Sequence, residues 1–378
     1  MTEIYLIRHA EAEGNLYRLW QGRTDGKITP QGRLQIEALA KRFASVHLDA
    51  VYSSDLQRAK ETANGLLRDH PVPYFADPRL QEFYVGSWEN RPFGNTDYEE
   101  PELAYLFNAD PARWHAEGAE TFLHCQNRME AVLREISEKN EGGTVAVISH
   151  GMAIRTLLAK LLGIPSENIS RLQHGDNTCV ARILWKDGTF TVDYYNDNSH
   201  LPTHLSTLAK QDWWRTGAPD AGDLRTAPLD PRKEGALYTH CYQQAWVSAH
   251  GNDRGFVSAP YLTSAIQHAR RNPGCVVKFY SLDRFAGLVD LDPLRGRWDG
   301  AGWVSLLYLE PDFRYQGLGF QPLGYAVNFF RDMGRSRLRL HAASDNPSAL
   351  SFYEKAEFRT IHVESGIYSD LYLLEKDL

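Results

Sequence analysis

Two arginines and two histidines carry the first candidate chemistry. "LIRHAEAEGN" sets Arg8 and His9 where an apolar run stops, "SSDLQRAKETA" brings Arg58, and "VISHGMAIR" brings His150 behind another apolar run. In open α/β sheets, ligands bind in the crevice beyond the carboxyl ends of the strands. Cationic groups gathered in such a crevice are costly to bury unless an anion neutralises them. A phosphoryl group suits them, because the planar fork of arginine matches its oxygens two at a time. Taken singly, each histidine could equally be a satisfied core or surface residue; the shared placement at strand ends is what points to a site.

A second constellation lies in "YLEPDFRYQGLGFQPLGYAVNFF", where Arg314, Tyr315, Gln316, Gly317, Leu318 and Gly319 link a strand to a helix. Backbone N–H groups at a helix start can hold a pyrophosphate, and glycine lets the chain approach it closely. No Gly-Lys-Ser/Thr follows, so this is not a Walker loop. "HLPTH" spaces His200 and His204 for a metal, but Pro202 between them favours a surface turn. Cys125, Cys179, Cys241 and Cys275 have no CxxC spacing and are expected to be reduced and mostly buried.

The elements that must carry these groups follow from periodicity. In the first half, apolar strands at Glu3–Arg8, "DAVYSS" and "GTVAVIS" alternate with helices in "TPQGRLQIEALAKRF", "LQRAKETANGLLRD", "ETFLHCQNRMEAVLREISEKN" and "GMAIRTLLAKLL". Thr29 is expected to cap the first of these helices, with Pro30 at its first position. That grammar predicts a mostly parallel sheet covered on both faces. "TCVARILWKDG" and "TFTVDYYN" form a hairpin through Asp187-Gly188. Two helices, "ALYTHCYQQAWVSAHG" and "APYLTSAIQHARRN", lead a mainly antiparallel second half. The expected organisation is a three-layer α/β/α domain over 1–208, a linker over 209–233 rich in Pro, Gly, Asp and Arg, and an α+β domain over 234–378. Trp213 and Trp214 are expected to pin part of the linker to a domain surface.

The 378 residues exceed one ordinary core. The formal charge of −7 is spread over mixed-sign segments, with no basic block to track nucleic acid. No apolar run reaches the ~20 residues of a membrane helix, and Met1-Thr2-Glu3 enters a strand without a signal-peptide pattern. A cytoplasmic location is expected, with neither nucleic acid nor membrane as partner; the oligomeric state stays open, a homodimer included.

The motifs "LIRHAEAEGN", "SSDLQRAKETA", "LQEFYVGSWENR" and "VISHGMAIR", in that order over about residues 1–205, resemble the histidine phosphatase superfamily, the phosphoglycerate mutase-like proteins. Ala10 stands where that signature most often has glycine. The resemblance implies a metal-independent phosphomonoesterase. His9 would become phosphohistidine, Arg8, Arg58 and His150 would hold the transferring oxygens, and Asn15 would add a donor. Gln21, Gly22 and Thr24 would line the phosphate site. Glu82 would protonate the leaving alcohol and then activate water, with Phe83, Tyr84 and Trp88 expected to shield its carboxyl. Cationic neighbours disfavour imidazolium, so His9 is expected to be neutral and nucleophilic.

Residues 234–378 resemble the GNAT family of acetyl-CoA-dependent N-acetyltransferases, through R-x-x-G-x-G at Arg314, Gln316, Gly317 and Gly319 followed by "DNPSALSFYEKAEF". The resemblance implies acetyl-CoA held by Leu309, Arg314, Gln316, Gly317, Leu318, Gly319 and Asn346, with Tyr353 protonating the departing thiolate. Glu310 is a further candidate, as a base acting through water. Glu357 stands where the family usually has glycine before Phe358. The combined expectation is a bifunctional enzyme acting on a small phosphate ester and a small-molecule amine. Two alternatives remain for parts of it: a phosphoglycerate mutase-type phosphotransferase in the first domain, and a non-catalytic acetyl-CoA sensor in the second. A phosphate-binding module without catalysis would have no need of Glu82.

Overall fold

A computed structural model describes residues 1–211, 219–366 and 368–378. The chain divides into two compact units, Met1–Asp220 and Ala221–Leu378.

In the first unit the strands are β1 (Thr2–Arg8), β2 (Ala50–Ser53), β3 (Tyr74–Ala76), β4 (Thr144–Ser149), β5 (Val180–Lys186) and β6 (Thr189–Asp197). They form one sheet in the order β3-β2-β4-β1-β5-β6. The β2–β3, β2–β4 and β1–β4 pairings are parallel, and the β5–β6 hairpin adds antiparallel partners at one edge. The helices are α1 (Glu13–Tyr17), α2 (Pro30–Phe43), α3 (Gln57–Leu67), α4 (Phe93–Glu99), α5 (Pro101–Ala109), α6 (Phe122–Lys139) and α7 (Gly151–Leu161). Thr29 does cap α2, its side chain accepting the Gly32 N–H at 3.0 Å.

Period-2 alternation divides the central strands between two cores. Ile4, Leu6, Val145 and Val147 pack with α6 and α7 residues such as Met129, Leu133 and Leu157. Ile7, Val51, Ala146 and Ile148 pack on the other face with Leu39, Phe43, Ala63 and Leu66 of α2 and α3. Burying both faces is what demands near-continuous apolar strands, each large side chain contributing about 1.5–3 kcal/mol.

In the second unit the strands are β7 (Leu224–Pro228), β8 (Val276–Ser281), β9 (Arg284–Asp292), β10 (Ala301–Leu309), β11 (Arg337–Ala343), β12 (Arg359–Glu364) and β13 (Leu371–Asp377). The helices are α8 (Gly235–His250), α9 (Ser258–Arg271), α10 (Phe320–Asp332) and α11 (Pro347–Lys355). The sheet order is β12-β13-β11-β10-β9-β8-β7, and β10–β11 is its parallel pairing among antiparallel ones.

One expectation changes here: β7 lies inside the segment read as a linker. Among the described residues it is an edge strand whose partner is β8, so its pattern is short and tolerates Pro228 at its end. Leu224 is nevertheless buried, with its N–H bonded to Gln321 Oε1 at 2.8 Å. Trp213 and Trp214 lie outside the described residues.

The end of α11 explains the unusual Glu357. Phe358 N–H donates to Tyr353 O and Glu357 N–H to Glu354 O, both at 2.9 Å. These are the paired bonds of a Schellman stop, with Phe358 packing on Tyr353 at 5.4 Å between rings. Such a stop needs a left-handed residue, and Glu357 supplies it at φ 66°. Its carboxylate lies 3.6 Å from Lys376 Nζ, which offsets part of the strain. Glu357→Gly should therefore stabilise the second unit by about 0.5–1 kcal/mol, the left-handed penalty less the extra chain entropy of glycine. A denaturation midpoint that fell instead would show the ion pair outweighing the backbone.

Candidate active sites

In the first unit the site begins with register. β1 and β4 pair so that Arg8 faces Ser149, and His9 N–H continues the ladder to Ser149 O at 2.9 Å. The next residue on each strand is a histidine. The His9 and His150 rings therefore sit side by side, centroids 5.0 Å apart, and both are buried.

His9 Nδ1 lies 2.7 Å from the Ala10 carbonyl oxygen. A carbonyl only accepts, so Nδ1 carries the hydrogen and Nε2 is left with its lone pair. Burial, and then the charges of Arg58 and Arg8, hold the His9 imidazole well below its ordinary 6.5. Burial and Arg58 do the same to His150. The expected neutral histidine follows, with desolvation a larger cause than the cations.

Arg58, on the first turn of α3, is 1% exposed. Its guanidinium donates to Thr24 O and Gly22 O, both at 2.8 Å, and lies 3.6 Å from Asp25. Gly22 and Thr24 thus turn carbonyls toward Arg58 and fix its direction. Thr24 is held in turn by Glu89, through its hydroxyl at 2.6 Å and its N–H at 3.1 Å. A Cβ on Gly22 would come within 2.3 Å of the Glu89 carboxylate and 2.7 Å of Phe83 O, so only glycine fits. The Gln21 amide packs over Gly14 and Gly26. Asn15 turns Oδ1 to the Ala12 N–H at 3.1 Å, at the start of α1.

Glu82 meets an environment that its aromatic neighbours did not suggest. Its carboxylate accepts N–H bonds from Phe83 (2.8 Å), Met152 (3.1 Å) and Ala153 (2.8 Å). The last two are first-turn donors of α7, whose N-cap is His150. Phe83 and Trp88 pack instead into an aromatic core with Phe107 and Trp114. One helix start therefore fixes the acid candidate relative to His150.

Sequence reasoning missed the loop before β5. Gly175 O accepts from Arg8 Nη1 at 2.6 Å, and Asn177 Nδ2 donates to His9 O at 2.9 Å. The available signal was the polar run Asp176-Asn177-Thr178, all of it buried. Arg8 Nε, both ring nitrogens of His150 and Asn177 Oδ1 are buried without a protein partner. Buried orphans are rare in native proteins, and these four belong to residues gathered around His9.

In the second unit, β10 and β11 pair only from Ala301↔Arg337 to Val304↔Leu340, although β10 runs on to Leu309 and β11 to Ala343. A register shift after Val304 marks the point of divergence. Beyond Leu309 the chain reaches α10, which opens at Gly319 without a side-chain cap. Phe320 and Gln321 N–H turn back on Gly317 O (3.3 Å) and Leu318 O (3.0 Å) and Pro322 has no N–H, so it is the backbone of the preceding Gln316–Gly319 loop, where glycines permit close approach, that suits the pyrophosphate of an acyl-CoA. Arg314 braces this loop, donating to Leu309 O at 2.8 Å and Ser248 Oγ at 3.1 Å. Gln316 braces it again, on Asp312 O at 2.6 Å. Gly317 holds φ 80°, and a Cβ on Gly319 would press on the Phe352 ring at 3.1 Å. Leu318 is buried at the loop's end. Asn346 caps α11 through Ala349 N–H at 3.1 Å, and burial pushes the Tyr353 phenol up. Among the described residues, no three His, Cys, Asp or Glu side chains gather as metal ligands, and no helix is long and apolar enough to cross a membrane.

The depressed histidines make acid stability a test. Folded His9 and His150 are neutral but take up protons on unfolding below 6.5, so the unfolded chain binds more protons there. Stability of the first unit should fall as pH drops below about 6.5, by up to about 1.4 kcal/mol per pH unit for each histidine. Denaturant unfolding in phosphate-free buffer would measure this, and a flat profile between about pH 7 and about pH 5 would contradict a neutral buried pair.

Both units have counterparts among known proteins. The profile of the histidine phosphatase superfamily (branch 1) matches residues 4–198, and that of the acetyltransferase (GNAT) family matches residues 237–358. "Probable phosphoglycerate mutase GpmB" of Yersinia pestis is 31% identical over 207 residues, 53% of this chain and 95% of that protein. The solved structure of YhfR from Bacillus stearothermophilus is 32% identical with a TM-score of 0.51, covering 53% of this chain and 99% of that one. By motif order, strand register and these matches, the chain belongs to the histidine phosphatase superfamily, branch 1, and carries a GNAT acetyltransferase domain behind the phosphatase domain.

Proposed function

We propose that the first domain hydrolyses phosphomonoesters of a small molecule through a phosphohistidine, and that the second transfers acetyl from acetyl-CoA to an amine. The observation that carries the first reading is the His9 tautomer, with Nδ1 on Ala10 O and Nε2 free, beside buried donors that lack partners. His9 Nε2 attacks phosphorus as the bond to the leaving oxygen breaks, and Glu82 gives that oxygen its proton. Glu82 then takes a proton from the water that attacks the phosphohistidine, and His9 returns with inorganic phosphate released. Arg8, Arg58 and His150 stabilise the charge on the phosphoryl oxygens in flight. Asn15, Gln21, Gly22 and Thr24 complete the wall, the last two through Arg58.

Hydrolysis is favoured over a mutase reaction by one observation. Arg91, a cation just beyond the acid, is paired with Glu99 at 2.7 Å and with Glu100. It is therefore spent within its own segment and does not await a second phosphate. Free, buried Cys125, Cys179, Cys241 and Cys275 fit a reducing cytoplasmic setting.

In the second domain, bound acetyl-CoA would supply an activated thioester. Leu309 and the Arg314–Gly319 loop would hold its arm and pyrophosphate, with Asn346 beside it. Tyr353, kept neutral by burial, would protonate the leaving thiolate while the acceptor amine gives up its proton to solvent or through Glu310.

Replacing His9 with Ala should cut phosphate release from 4-nitrophenyl phosphate by more than about 1,000-fold with folding unchanged. Retained turnover would sink the covalent mechanism. For the second domain, calorimetry should detect acetyl-CoA binding, and thiol release against an amine panel should fall about 100-fold in Tyr353→Phe with binding unaltered. Binding without turnover on any amine would favour the sensor.

A further inference from the structure

Segment 79–82, which carries Glu82, is irregular. Its first residues form a single 3-10 turn, Pro78–Leu80, so its carbonyls have no ladder of their own and need donors. Arg128, on α6, supplies most of them. Its Nη1 donates to Arg79 O at 2.8 Å and Gln81 O at 2.7 Å, and its Nη2 to Glu82 O at 3.0 Å. The other two guanidinium hydrogens go to Glu120, from Nε at 2.6 Å and Nη2 at 2.8 Å. The one carbonyl Arg128 does not take, Leu80 O, accepts from Ser149 Oγ at 2.8 Å, next to His150.

All five arginine N–H donors are thus engaged, four consecutive carbonyls are captured, and Glu120 also accepts the Tyr84 N–H at 3.3 Å. The pair is out of solvent, with side-chain exposures of 9% and 2%. Lysine has three donors on one point and could not span this set. A buried cation and carboxylate are an expensive way to hold a loop if bulk stability is the only end, since an apolar pair often serves as well. What the ion pair provides is a fixed backbone behind one particular carboxylate.

We propose that Arg128, held by Glu120, is a positioning residue that sets the Glu82 carboxyl for proton transfer to the leaving oxygen. This rests on the reading of Glu82 as the acid. Arg128 makes its hydrogen bonds in this segment to backbone carbonyls, whereas the Glu82 carboxylate is held by Phe83, Met152 and Ala153 N–H. Loosening it therefore withdraws the acid while leaving Arg8, His9, Arg58 and His150 in place.

The test uses leaving-group chemistry in the full chain. Phenyl phosphate departs as a phenol of pKa about 10, like tyrosine, and needs the acid; 4-nitrophenyl phosphate departs as a stable anion and needs it little. Single-turnover release of the phenol isolates this step from hydrolysis of the phosphohistidine. Arg128→Met should lose about 30-fold on phenyl phosphate, part of the about 100-fold or more that a general acid contributes, yet stay within about 3-fold on 4-nitrophenyl phosphate. Arg128→Met/Glu120→Gln, which leaves no unpaired buried charge, should show the same selectivity if the single variant folds poorly. Glu82→Gln is the reference. Should it be selective while the folded Arg128 variants lose both substrates equally, or neither, the positioning role is overturned and the acid stands. If Glu82→Gln itself loses both equally, the acid reading falls and the positioning role with it.

Discussion

The parallel pairing of β1 with β4, in the register that sets Arg8 opposite Ser149, is the constraint on which the first unit depends. It places two histidines side by side on neighbouring strand ends, and the rest of the site compensates for what that costs. Neither ring can carry charge there, because burial and the arginines oppose it. The arginines in turn lean on carbonyls: Arg8 on Gly175, and Arg58 on Gly22 and Thr24. Apart from Asp25 at 3.6 Å from Arg58, these guanidinium contacts are neutral carbonyls, which leave most of the positive charge available to an anion.

The same economy governs the carboxylates near the site. Glu89 and Glu120 are used on protein donors, the first on Thr24 and Arg23 N–H, the second on Arg128. Glu120 is thereby neutralised by Arg128, while Glu89 keeps its charge behind the loop that holds Arg58. Glu82 is held by backbone N–H groups of α7 and carries no ion pair with Arg8 or Arg58 among the described contacts. Such a carboxyl can enter the pocket's chemistry without closing it.

How far this was legible in the sequence depends on what kind of contact is at stake. Strand ends are visible because apolar runs stop abruptly, so Arg8, His9, Arg58 and His150 can be placed together from the sequence alone. The two-faced sheet and the Thr29 cap followed from equally local signals. Gly175, Asn177 and Arg128 could not be found that way. Asn177 and Arg128 donate to carbonyls from distant parts of the chain and Gly175 offers its own to Arg8, and a carbonyl is the same at every residue. Phe83 and Trp88 misled for a related reason: adjacency to Glu82 says nothing about which way a side chain turns, and both turn into the aromatic core. β7 was missed because an edge strand with a single partner is not forced to alternate.

The second unit offers a different kind of candidate anion site, and Glu357 shows why its motif was still readable. There the candidate element is backbone itself: the Gln316–Gly319 loop that leads into α10, in a sheet whose β10 and β11 stop pairing after Val304. Arg314 does not supply the field so much as hold the loop's shape, bonded to Leu309 O and Ser248. A site built from backbone depends on φ and ψ, so its sequence record is a pattern of glycines and stops. Where glycine is replaced, as at Glu357, the left-handed geometry persists because Phe358 on Tyr353 and the carbonyls at the end of α11 require it. The stop sets the last turn of α11, and with it the depth at which the Tyr353 phenol is buried. A departure from the motif at that place changes the local strain and leaves the geometry that Tyr353 needs intact.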